Sequence, residues 1–169
     1  MPVTINGSGL ASGVTSVPNL QSFPIGPRLD GANMPVGSVL QVVQGVLSSQ
    51  QGMTASSFTN TNLTATITPK FSTSKILIMV NAGVQSSTSN CNFTVYRNGT
   101  TNLGNGGVGF GYLTGGGGSI NVSLTPAYLD SPATTSATTY AFYVSVAGGT
   151  VYVCNGAATS TITLMEIAG

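Results

Sequence analysis

The chain has 169 residues, 41% of them hydrophobic, yet only four Lys/Arg and three Asp/Glu, with no His and no Trp. Ordinary soluble domains are roughly a quarter charged, so Ser, Thr, Asn, Gln and backbone must keep this surface in water, and most side chains of acid–base, metal or phosphate chemistry are missing. The apolar content supports a folded core of about one domain rather than disorder.

Four scattered basic residues are too few to hold a nucleic-acid backbone. A net charge of +1 gives little self-repulsion and favours association.

Residues 1–36 differ from the rest. Pro2, Pro18, Pro24, Pro27 and Pro35 fall here among several glycines, which remove backbone donors and raise the entropy cost of order. Apolar residues nonetheless recur at intervals: Val3, Ile5, Leu10, Val14, Val17, Leu20, Phe23 and Ile25. That pattern predicts an extended arm that orders by lying on another surface. The start, Met1-Pro2-Val3-Thr4, has neither the basic nor the apolar region of a secretion signal. The longest apolar run, Ile76–Val80, is far too short to span a bilayer. The expectation is a protein made in a cytoplasm, with no membrane insertion.

From about Gly37 the pattern is that of strands. Val39–Val46 opens the domain and Leu63–Thr68 alternates apolar with polar. Lys75–Val84 is apolar on both faces, as a central strand covered on both sides would be. Cys91–Arg97 sets Cys91, Phe93 and Val95 against Asn92, Thr94 and Tyr96, then meets Asn98-Gly99, a hairpin signal requiring positive φ at both positions. After a glycine-rich stretch come Ile120–Thr125, Thr138–Val146, Val151–Cys154 and Thr161–Ile167. Short strands at this spacing predict an all-β antiparallel sandwich over 37–169.

Each feature that resembles chemistry has a plainer reading. Gly115–Gly118 lacks the Lys-Ser/Thr pair and following helix of a phosphate loop, and reads as a loop between strands. Ser72-Thr73-Ser74 before Lys75 suggests a Ser–Lys pair, but also a turn ahead of a strand. Asp30, Asp130 and Glu166 lie far apart in the chain, with Asp130 placed in a loop beside Pro132. Cys91 and Cys154 read as buried small hydrophobes rather than a disulfide. No catalytic residue, metal site or cofactor is predicted, and no enzyme.

Three features stay open. Glu166 lies among Leu164, Met165 and Ile167; either it is buried with Lys75 or Arg97 as partner, or the strand frays and it is solvated. Phe110 and Tyr112 sit in a glycine-rich loop and either contact a ligand or pack beneath the loop. Tyr140 and Phe142 are expected in the core.

Four pieces, Met1–Gly9 (MPVTINGSG), Gly37–Gln44 (GSVLQVVQ), Ile67–Asn81 (ITPKFSTSKILIMVN) and Ser160–Gly169 (STITLMEIAG), resemble virion proteins of tailed bacteriophages that end in a β-sandwich knob. The resemblance implies a jelly-roll-like fold, a homotrimer, and an N-terminal arm that plugs into the particle. Only Leu10–Val36 separates the first two pieces, so a long fibre shaft is excluded. The implied role is a short tail fibre or knob that contacts a host-surface glycan and leaves the cell by lysis. The alternatives are a capsid-decorating head protein and a bacterial surface adhesin or lectin-like module.

Overall fold

The structure is a computed structural model that describes residues 34–86, 90–114, 118–156 and 158–169. The arm predicted for 1–36, with all eight of its apolar residues, lies outside them except at its last three positions. The described residues form two packed antiparallel sheets, a β-sandwich.

The strands in chain order are β1 (Val39–Leu47), β2 (Gln51–Met53), β3 (Thr59–Ile67), β4 (Lys75–Ser86), β5 (Asn90–Arg97) and β6 (Thr101–Asn102), then β7 (Gly111–Leu113), β8 (Ile120–Leu124), β9 (Ala127–Asp130), β10 (Thr138–Ala147), β11 (Val151–Val153) and β12 (Ser160–Ile167). The first sheet runs β1-β12-β4-β11-β2, with β8 and β9 on the other side of β4. The second runs β3-β10-β5-β6, with β7 also on β5.

Several of these elements are halves of one strand. β8 and β9 pair with β4 in a single unbroken register, Ala82 opposite Leu124 and Met79 opposite Ala127. Between them the Val80 N–H donates to Pro126 O at 3.0 Å. Proline has no N–H to return the bond, so the ladder is interrupted without a change of direction. Likewise β1 and β2 line one edge, against β12 and β11 respectively. Joined in this way, the order is (β1,β2)-(β12,β11)-β4-(β9,β8) in one sheet and β3-β10-β5-(β6,β7) in the other.

Period-two alternation supplies the core between the sheets. β3 alternates through buried Leu63, Ala65 and Ile67, β4 through Ile76, Ile78, Val80, Ala82 and Val84, and β12 through Ile162 and Leu164. Tyr140, Phe142 and Val144 of β10, beside β3 in the second sheet, meet the β4 and β12 residues from the opposite side of the core. Cys91 and Cys154 are free and buried in this core. The domain's ends are tied together, since Gly37 N–H donates to Ala168 O and Ala168 N–H to Ser38 O, both at 2.8 Å.

Two local devices close the structure. At the β5–β6 hairpin, Asn98 and Gly99 both take positive φ, 52° and 70°, as the Asn-Gly pair predicts. Where β1 crosses β3, a Cβ on Gly45 would stand 1.9 Å from Thr64 O. Only glycine allows the two backbones so close.

One expectation fails. β4 is central but its outer face is not covered: Met79 is 39% exposed, and the burial of the strand alternates. The strand buried on both faces is β10, where outward Ala141 and Ser145 are also inaccessible. β10 lies between β3 and β5 in the second sheet.

Candidate functional site

Cross-strand register puts the two described acids in one inward-facing row. Glu166 on β12 stands opposite Ile76 on β4, and Ile76 opposite Asp130 on β9. All three are buried. At this end of the sandwich the apolar core therefore finishes in a polar layer.

Each acid is neutralised differently. Asp130 accepts from Arg97 Nη1 through both oxygens, at 2.9 and 2.7 Å, and from the Tyr140 hydroxyl at 2.7 Å. Asp130 belongs to the first sheet, Arg97 and Tyr140 to the second, so this triad clamps the sheets together. Tyr140 and Arg97 are register neighbours on β10 and β5, which aims both at one carboxylate. Burial, then the bond to Asp130, pushes the Tyr140 phenol far above its ordinary pKa, against a smaller opposing effect of Arg97.

Glu166 has no cationic partner among the described residues. Its Oε2 accepts from Gln41 Nε2 at 2.6 Å, and its Oε1 from the Lys70 N–H at 2.7 Å and the Phe71 N–H at 3.4 Å. Burial alone would raise its pKa. The nearby Ser74 hydroxyl, placed without full hydrogen-bond geometry, acts with Gln41 and the two N–H groups to hold it below the ordinary value. These bonds pin the loop from β3 to β4 onto the end of the first sheet.

Within the chain, then, the pairing of Glu166 with Lys75 or Arg97 does not form, and Glu166 is not solvated at a frayed end. The reason is parity and layer. Lys75 precedes inward Ile76 and so points outward into solvent, while Arg97 is committed to Asp130. Asp130 itself is the buried last residue of β9 rather than part of a loop. Backbone donors as partners for Glu166 gave no signal in the side-chain sequence.

The two loop aromatics separate. Phe110 is half-buried and packs on the core with its ring 5.4 Å from that of Tyr128. Tyr112, on β7, is 67% exposed. Phe110 also lines, with Phe93, Thr125, Pro126 and Ala127, an open groove of about 360 Å³. A second aromatic group escaped sequence reasoning: Tyr96 and Tyr143 stack at 4.2 Å with Phe58 beyond, at 6.2 Å from Tyr96. Its signal was the alternation of Tyr96 against inward Val95; its partner Tyr143 depends on the β5–β10 register, which sequence does not print.

The remaining candidates are unremarkable in place. Lys75 opens β4 as an exposed residue after a turn through Ser72 and Thr73, and Ser74 is buried. Cys91 is desolvated, which pushes its thiol up to about 11 and makes it a poor nucleophile. The tetraglycine lies outside the described residues except for Gly118. Neither a scan against protein-family models nor a search of curated proteins finds a match to this chain.

Proposed function

We propose that the chain is a non-enzymatic structural protein of a tailed-phage particle. In this reading it is a homotrimeric short fibre or knob, docked on the tail by its residue 1–36 arm, with exposed aromatic loops meeting a host-surface glycan. The observation that carries this reading is the use of the acids: Asp130 and Glu166 are both buried and bonded within a charge-poor sandwich. Groups held this way stabilise a scaffold and are not free to exchange protons with a substrate. The sandwich then acts by contact.

The strand order supports a jelly roll. With the broken strands joined into eight, numbered along the chain, the sheets read 1-8-3-6 and 2-7-4-5, the interleaving that two nested Greek keys produce. Tyr112 and the groove beside Phe110 supply the aromatic surface that a sugar would stack on. Virion localisation and the partners in the particle rest on the resemblance in the four sequence pieces.

Immunogold labelling of purified particles with an antibody to residues 37–169 tests the placement. Label on the tail is expected. Label confined to the head shell would overturn the tail reading in favour of a decoration protein, and unlabelled particles would overturn both.

A further inference from the structure

The outer face of the first sheet is composed like a covered surface but has no covering layer among the described residues. Register across β1, β12, β4 and β9 places Val42, Met165, Leu77 and Leu129 in one row. Gln44, Thr163, Met79 and Ala127 form the next row. Val42 and Val46 are 54% and 57% exposed at the β1 end, and Leu129 is 47% exposed at the β9 end. Along these strands Lys75, at the rim, is the sole charged residue on the face. Between the ends lies a depression of about 270 Å³ lined by Met79, Thr161, Thr163, Pro126 and Ala127.

We propose that this strip is the self-association surface of the chain, with the β9 edge of one copy seated on the β1–β12–β4 face of the next. The proposal rests on the homotrimer reading and adds where the copies touch.

Charge selects the occupant. An anionic membrane or a nucleic acid would call for a basic patch, whereas an equally uncharged surface is what a second copy offers at a net charge of +1. Size selects the geometry. Four strands at ~4.8 Å spacing and about three side-chain rows give roughly 400 Å², half of the ~800 Å² that one side of a stable interface covers. The strip alone is too small for a face-to-face pair. Adding the β9 edge, with exposed Tyr128 and Leu129 and an outer side that pairs with no described strand, extends the surface and makes the contact head-to-tail. Such contacts close into a ring when the rotation between copies closes, here at three.

The test is light scattering of the full chain, comparing wild type with Leu129→Glu, Val42→Glu and, on the other sheet, exposed Thr101→Glu. Wild type and Thr101→Glu should have the mass of three chains. Each strip variant should dissociate at concentrations about tenfold higher or more than wild type, because a glutamate would be buried there unpaired. Should a glutamate variant fail to fold by circular dichroism, the double variant Val42→Thr/Leu129→Thr is read instead, with the same weakening expected. Folded strip variants that keep the wild-type mass on dilution would overturn the proposal while leaving the trimer standing. A monomeric wild type at micromolar concentration would overturn the trimer reading itself, and this proposal with it.

Discussion

Glu166→Gln keeps the size of the side chain but removes the charge that the Lys70 and Phe71 N–H groups and Gln41 hold. Hydrogen bonds to a charged group contribute about 1.5–3 kcal/mol each, and the glutamine NH₂ must also find an acceptor. The variant should lose about 1–3 kcal/mol in urea denaturation; a value within error of wild type would show that the carboxylate contributes nothing. Tyr140→Phe removes the hydroxyl donor to Asp130 and should cost about 1–2 kcal/mol, since Arg97 still holds the acid.

The same groups set the pH range of stability. Glu166 has a lowered pKa in the folded state, so its contribution is present above the unfolded value of about 4.3 and lost as pH falls below it. Tyr140 and Cys91 are raised. Their folded forms keep protons that the unfolded chain releases, so stability is full below about pH 8.5 and falls as pH rises further. Thermal melts should therefore show a plateau between about pH 5 and 8.5 with losses on both sides. Midpoints that rise steadily from pH 8.5 to 11 would contradict the buried state of both groups.

Strands show how far pattern alone reaches. Period-two alternation in β3 and β12, and the Asn98-Gly99 turn, follow from local chemistry, whereas in β5 the polar Thr94 is buried beside Val95 and the alternation is broken. Which strand is shielded on both faces is a tertiary matter: β4 has the apolar composition for it, but β10 has the position. Pro126 and Gly45 are likewise ordinary letters until their partners, Val80 and the Thr64 carbonyl, are known. Gly45→Ala places a methyl against that carbonyl and must push β1 from β3. It should cost about 2 kcal/mol or more, as overpacking does, with a lower melting temperature as the readout. An unchanged melting temperature would mean the crossing is looser than described.

In the assembled sandwich the scarcity of charge acquires a physical meaning. With two acids enclosed at one end and a face that carries one charge, Lys75, and no covering layer among the described residues, cohesion comes from burial and backbone pairing. The sandwich class was readable from composition and alternation. The polar end layer, the Tyr96–Tyr143 stack and the bare face were not, because each joins residues that only sheet register brings together. The most direct measurement is peptide mass spectrometry of density-purified particles from lysed host cells. The account predicts peptides of this chain in the particle fraction, in a fixed ratio to the other structural proteins across the gradient peak. Peptides found only in the soluble lysate, with none in the particles, would contradict it.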